Sequence, residues 1–368
     1  KNVYVVWNEK EDNSSEIYLK KWDGTSWSQG IKLSDGFSQQ PKIACTLLFP
    51  ESYLYVVWEK YIPDTKTTKA YITRSKDNGN TFTEPIPITE GLWNTKRPAL
   101  YCGARDAYIV WADNREGNWQ IYTKKWGEVQ ISDEIKLSTL PDCDAPSISG
   151  SEPMLYVTWH CKTTEKSYSD IFISRSTNFG TAWSEPKKIT NGKAESILPK
   201  ITVSDQEPWL FWQGGENGIW QIWSLDSQYW KQNVDIKIYP LTDVSKPGIS
   251  PDVSSTQGQI HLFWTQMESK ERSNIMYIRR DTLPPSQPGT PYHFDTSANP
   301  GFDDDEQITF HWDRSTSKEK IKYKVYVSVN NGVFNLVGET EKTSYNVQGE
   351  EGKSYQIYVE AVDMVGNI

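Results

Sequence analysis

The chain has 368 residues, a formal net charge of −9, 17 tryptophans and 20 tyrosines. No run approaches the ~18 apolar residues of a membrane span, and neither the net charge nor the scattered Lys and Arg offers the basic surface that nucleic-acid phosphates require. The length suits two or three ordinary domains unless a repeat architecture counts as one.

Six apolar runs end in tryptophan: Trp7, Trp58, Trp111, Trp159, Trp212 and Trp264, spaced 51, 53, 48, 53 and 52 residues apart. That period is at the long end for propeller blades. Each tryptophan run is followed by a second short aromatic or β-branched stretch, such as Glu16-Ile17-Tyr18-Leu19 or Asp170-Ile171-Phe172-Ile173, which reads as a strand. A third stretch opens on Trp or Phe and ends in Ser or Thr (Trp27 to Ser34, Phe82 to Thr89, Trp183 to Thr190). A fourth follows a proline: Pro41, Pro98, Pro146, Pro199 or Pro251, expected at the strand start where the missing N–H costs least.

Four strands per unit and six units predict an all-β, six-bladed β-propeller of four-stranded antiparallel blades over residues 1–282. In ring order the proline strand (A) is innermost, then the tryptophan strand (B), then C and D. The B strands are nearly continuous apolar runs because both faces of a blade are covered by its neighbours.

The first unit has no A strand and the sixth no D, so residues upstream of Lys1 are expected to supply them. The chain also opens directly before a strand, without initiator Met or secretory signal, as a segment of a longer polypeptide would. Four cysteines without a Cys-x-x-Cys pair fit an oxidising compartment better than a metal site. The topology brings forward Cys143 with Cys161, and Cys45 with Cys102 on adjacent A strands; four buried thiols are the alternative.

Residues 283–291 form a Pro-rich linker that cannot continue a sheet interior. Beyond it, Ile308 to Trp312, Tyr323 to Val329, Phe334 to Val337, Ser344 to Val347 and Tyr355 to Val362 alternate with period 2, the pattern of an antiparallel sandwich over residues 292–368. Trp312, then Tyr355 with Ile357, Val359 and Ala361, and Gly366-Asn367, resemble a fibronectin type III domain, an immunoglobulin-like β-sandwich, over residues 284 to 368. The resemblance implies a tyrosine corner at Tyr355, with Tyr355, Ile357, Val359 and Ala361 facing inward; its last strand is missing, since Ile368 stops where that strand should begin.

In the repeat region Ser75-Lys-Asp77-Asn-Gly79-Asn-Thr-Phe82 matches the Asp-box, Ser-x-Asp-x-Gly-x-x-Trp/Phe. Ser176-Thr-Asn178-Phe-Gly180-Thr-Ala-Trp183 is a copy with Asn for Asp, and Asp23 to Trp27 keeps an echo. With these boxes between strands C and D, the repeats resemble the sialidase superfamily over residues 1 to about 282. The box itself is a turn device: a short side-chain oxygen accepts backbone N–H groups, Gly supplies positive φ and the aromatic packs beneath. It belongs to the face opposite the B-to-C and D-to-A loops that form a propeller's ligand entrance.

The resemblance implies, for a sialidase, three carboxylate-clamping arginines, a Tyr nucleophile with its Glu, and an Asp acid/base. Its Arg-Ile-Pro type motif does not occur here. Arg97, Arg115 and Arg272 are the arginines available for a triad, with Asp113 or Asp144 as acid. A glycan-binding face draws instead on aromatic and polar loop residues, Trp93, Arg97, Asp113, Asn114, Arg115, Trp119, His160 and Gln213. For each of these tryptophans taken singly, packing is the favoured reading, and for a lone His a hydrogen-bonded structural residue. No cofactor or metal is expected, apart from calcium at Asp303-Asp304-Asp305-Glu306, where a solvated loop is the plainer reading.

With so sparse a catalytic inventory, the expectation is a non-catalytic extracellular or cell-surface modular protein. Its propeller serves recognition, adhesion or a structural role, its partners are a glycan or a surface protein, and further modules accompany it. The alternative is a sialidase-type glycoside hydrolase.

Overall fold

In the computed structural model the tryptophan-ended runs are strands of successive antiparallel sheets. The structure describes residues 2–11, 14–46, 53–104, 106–127, 131–162, 168–216, 219–225, 238–242, 245–256, 258–269, 272–282, 285–293, 307–317, 319–364 and 366–368. The first sheet holds β1 (Val3–Glu11), β2 (Ser14–Trp22) and β3 (Ile31–Lys32). The second holds β4 (Ser38–Cys45), β5 (Leu54–Ile62), β6 (Thr67–Ser75) and β7 (Ile86–Pro87), and the third β8 (Thr95–Cys102), β9 (Ala107–Asp113), β10 (Gln120–Trp126) and β11 (Ile135–Lys136). The fourth is β12 (Cys143–Ser151), β13 (Met154–Lys162), β14 (Ser169–Ser176) and β15 (Lys187–Lys188). The fifth is β16 (Glu195–Ser204), β17 (Glu207–Glu216), β18 (Ile219–Leu225) and β19 (Ile238–Pro240), and the sixth β20 (Gly248–Thr256), β21 (Gln259–Met267) and β22 (Ser273–Asp281). Among the described residues there is no helix.

The B strands of the second to fifth sheets are largely buried on both faces, β9 along its whole length, whereas β1 and β21 leave Val3, Val5 and Phe263 exposed. Alternate residues serve different neighbours. Val56 and Trp58 pack on Ile17 and Leu19 of the preceding sheet, while Tyr55 and Val57 pack on Ile109 and Trp111 of the following one. Trp58, Trp111, Trp159 and Trp212 are at most 1% exposed, and the first three stack on the C-strand aromatic directly across, Tyr71, Tyr122 or Phe172. Truncating any of them to Ala would cost about 3–5 kcal/mol.

Two sequence expectations are corrected. The third strands shrink to two residues in the first four sheets, because the aromatic that opens each stretch belongs to the loop. Their terminal Ser and Thr do another job: Ser34, Ser138, Thr190 and Thr242 accept the backbone N–H of Ile17, Ile121, Ile171 and Ile222. The prolines, in turn, lie three or four residues inside the A strands. In β4, β8, β12 and β16 the register slips by one there, so that two residues, the second a proline, oppose the B-strand tryptophan. This is a β-bulge, where the missing N–H has no ladder partner to lose.

The chain divides into two compact units, Lys1–Ser255 with His261–Ile278, and Thr256–Ile260 with Arg279–Ile368. The second contains two three-stranded sheets: β23 (Tyr292–His293), β24 (Gln307–His311) and β27 (Ser344–Gln348) in order β23-β24-β27, and β25 (Ile321–Val329), β26 (Asn335–Thr340) and β28 (Tyr355–Asp363) in order β26-β25-β28. Between them lie Trp312, Tyr323, Val325, Val359 and Ala361, with Tyr345 and Ile357 at the margin. The hydroxyl of Tyr355 accepts the N–H of Glu350 at 2.9 Å. Asp303 to Glu306, the calcium candidates, lie outside the described residues.

Candidate active site

The residues before the five inner-strand prolines share one backbone conformation. Gln40, Arg97, Ala145, Leu198 and Ser250, each just before its proline, have φ of 54°, 50°, 49°, 52° and 51°. Left-handed backbone at non-glycine residues is held only where surroundings over-determine it. Two of these positions show how: the backbone N–H of Arg97 donates to Glu59 Oε1 at 2.5 Å, and that of Ser250 to Gln213 Oε1 at 3.0 Å. Glu59 and Gln213 each follow a B-strand tryptophan, so period-2 alternation turns them toward the next sheet. The five inner strands line a cavity of about 420 Å³, with Gln40, Arg97, Ala145 and Leu198 among its lining residues.

Charged groups converge around Arg97. Glu59, 4% exposed, also accepts the Gln39 side-chain amide at 3.0 Å. Asp144 receives Lys96 Nζ at 3.0 Å and lies 3.6 Å from Arg97 Nε. The Lys96 ammonium sits 3.9 Å above the Trp119 ring. His160 is the register partner of Asp144. Burial pushes its imidazole down to about 4, with Arg97 and Lys96 acting the same way and Asp144 opposing them. Its Nδ1 is shielded from solvent without a hydrogen-bond partner. Arg97 thus touches two carboxylates from different sheets, one through its backbone and one through its side chain.

The remaining sequence candidates form a second, peripheral group. Arg115 donates to both oxygens of Asp113 and to Glu134, and lies over the rings of Trp93 (4.8 Å) and Tyr122 (4.2 Å). Asp113 is fully buried and also accepts the Trp111 indole N–H at 2.9 Å. Trp93 carries Lys69 at 4.9 Å, and Asn114 accepts the N–H of Asn94 at 2.8 Å. This is a closed packing unit. Its arginine is committed to two carboxylates and is not free to clamp a substrate, so the triad of Arg97, Arg115 and Arg272 is corrected on this ground.

Glu59, Lys96 and Gln39 were missed by sequence reasoning. The available signal was positional: Glu59, His160 and Gln213 all follow a B-strand tryptophan.

The Ser75 and Ser176 loops lie at the other end of the B strands, since Leu54 pairs with Ser75 whereas Lys60 pairs with Ser38. Glu59 is five residues along β5 from Leu54, roughly 17 Å at strand rise. Asp77 Oδ1 accepts Ser75 Oγ and the N–H groups of Asn80 and Thr81. Asn178 Oδ1 accepts Ser176 Oγ and the N–H of Ala182. Gly79 and Gly180 donate to Ser75 and Ser176 at φ of 80° and 73°. Phe82 packs at the margin of the Ile17–Trp58 cluster, and the Trp183 indole N–H donates to Gly180 O.

Cys143 and Cys161, register partners with Cα atoms 4.0 Å apart, are disulfide-bonded. The Cys45–Cys102 pair is corrected: both are free thiols, Cys45 exposed and Cys102 buried. They end inner strands of different sheets, and no ladder brings their Cβ atoms into opposition.

No protein-family model matches the chain, and no curated protein matches it. Solved structures do. An α-L-arabinofuranosidase from Fusarium graminearum aligns with a TM-score of 0.53 at 11% identity, over 76% of this chain and 89% of its own. An α-L-arabinanase from Penicillium chrysogenum, complexed with arabinobiose, aligns with a TM-score of 0.51 at 11% identity, over 76% and 90%. The NanB sialidase from Streptococcus pneumoniae aligns at 0.48 and 9% identity, over 76% and 66%. The chain shares the β-propeller fold of these enzymes. The expectation of a non-catalytic adhesive or structural module is corrected by the same finding, because the arabinofuranosidase and the arabinanase that share the fold are glycoside hydrolases.

Proposed function

We propose that the chain is a glycoside hydrolase whose site is the mouth of the central cavity, with Glu59 and Asp144 as its paired carboxylates. The observation that carries this reading is the bridging of both by Arg97. Glycosidic cleavage needs two carboxyl groups flanking the bond, one to protonate the leaving oxygen and one to act as base or nucleophile. Lys96 and Arg97 are placed to hydrogen-bond sugar hydroxyls, and Trp119 beside them offers an aromatic face. With Arg115 committed elsewhere, a three-arginine clamp for a sialic acid carboxylate is not assembled. The likeness to an arabinofuranosidase and an arabinanase favours α-L-arabinofuranosyl linkages as substrate.

In this proposal the six sheets are six blades, the turns at Ser75 and Ser176 are Asp-boxes, and the second unit is a fibronectin type III-like module. The Cys143–Cys161 disulfide supports a secreted location, and the partner is a glycan. The test is a panel of chromogenic glycosides that includes an α-L-arabinofuranoside and a sialoside. Glu59→Gln and Asp144→Asn are each expected to lower kcat about a hundredfold or more. Absence of hydrolysis across the panel, or unchanged turnover in both variants, overturns the reading.

A further inference from the structure

The residue that follows each inner-strand proline is Lys42, Ala99, Ser147, Lys200 or Asp252, one from each of the five inner strands, and all five line the central cavity. The same bulge register in β4, β8, β12 and β16 puts the first four of these side chains at one level of the channel, and Asp252 reaches that level through its contact with Lys200. The level holds two lysines and one aspartate. Lys200 and Asp252 form an ion pair at 3.4 Å, which leaves the charge of Lys42 without a carboxylate. The nearest further charge in the lining is another cation, Arg97 at the rim.

Lys42 is exposed to the channel; partial desolvation by the neighbouring strands, with repulsion from Lys200, lowers its ammonium pKa, while Asp252 acts in the opposite sense. An ammonium that faces the channel's water with no carboxylate on it is free to take an anion as its partner. The cavity, about 420 Å³, has room for a small ligand, and a lysine ammonium offers three donors to it.

We infer that the central channel is a binding site for a small oxyanion, held by Lys42 and Lys200 below the mouth. The chemistry recognised is a carboxylate or phosphate-type group, either as a free anion or as the acid group of a sugar. This inference stands independently of hydrolysis at the mouth.

Thermal unfolding of the whole chain tests it, at constant ionic strength, with acetate, phosphate, glucuronate and, as uncharged control, glucose. A ligand that binds only the folded state raises Tm saturably. The expected result is a saturable rise with at least one of the anions and none with glucose. Response to acetate or phosphate identifies a free anion, whereas response confined to glucuronate identifies the sugar acid. Lys42→Gln is expected to weaken the anion's half-saturation about tenfold or more, as loss of a charged hydrogen bond does. Asp252→Asn, which frees Lys200, is expected to tighten it severalfold, and this arm holds even if the Lys42 variant folds poorly. Shifts that never saturate, an equal shift with glucose, or an Asp252→Asn protein that binds no more tightly overturns the inference.

Discussion

The backbone N–H of Arg97 donates to the carboxylate of Glu59 across the seam between two sheets. One side chain thereby fixes the left-handed backbone kink at Arg97, a residue of the cavity lining, and is one of the two carboxylates of the proposed site. The two roles respond differently to substitution. Glu59→Gln keeps an oxygen for the Arg97 N–H and is expected to melt close to the parent while losing turnover. Glu59→Ala strands that N–H and the Gln39 amide, and is expected to lose about 1–3 kcal/mol of stability as well. Urea unfolding of both variants separates these outcomes; equal stability would mean the cap is dispensable.

Asp113 and Arg115 were candidates for binding, and their geometry makes them structural. Asp113→Ala leaves the Trp111 indole and part of the Arg115 guanidinium without a partner. The expected loss is about 2–3 kcal/mol, below the ~3–5 of a fully buried pair because Arg115 keeps Glu134 and some solvent. Any activity measured on the panel should survive in the fraction that remains folded, with KM unchanged.

Acid should destabilise the protein in two separate windows. Folded His160 titrates at about 4 against an ordinary 6.5, so between those values the unfolded chain binds a proton that the folded one does not. Its share of stability is therefore complete above about pH 6.5 and declines as pH falls toward 4. His160→Gln should flatten the Tm profile in that range only. Asp77, drawn down to about 2 chiefly by hydrogen bonds from Thr81, contributes stability that is present above 3.8 and lost as pH falls through 2. Asp77→Asn should shrink this lower window, which Asp23 shares, and should lower Tm at pH 7 through loss of the stability that the ionised carboxylate supplies there.

Reduction of Cys143–Cys161, which spans 18 residues, is expected to lower stability by about 3 kcal/mol on chain-entropy grounds. Guanidinium unfolding with and without reductant measures this, and a Cys143→Ala/Cys161→Ala double variant should be insensitive to reductant. Cys45 and Cys102, already thiols, should contribute no reductant effect of their own.

Much of the architecture was legible in the chain. A tryptophan repeated about every fifty residues, with an aromatic stretch after it, identifies B and C strands because burial on both faces leaves an unbroken apolar run. The turns at Ser75 and Ser176 were legible for a local reason: all their hydrogen bonds fall within a few residues. The site was less so. Trp93, Asp113 and Arg115 carry the residue types of a binding face, yet they neutralise one another, and only contact distances reveal that.

The sequence by itself determined the repeat, the strand types and the positions of the inner-strand prolines, since these follow from periodicity and local backbone chemistry. Tertiary structure alone decided that Pro41, Pro98, Pro146 and Pro199 sit in bulges opposite a tryptophan, that Glu59 reaches Arg97, and that Lys42 and Lys200 share one channel with a single aspartate between them. The last two relationships join residues 38 and 158 positions apart on different sheets. They depend on how neighbouring sheets stack, which no local pattern of residues encodes.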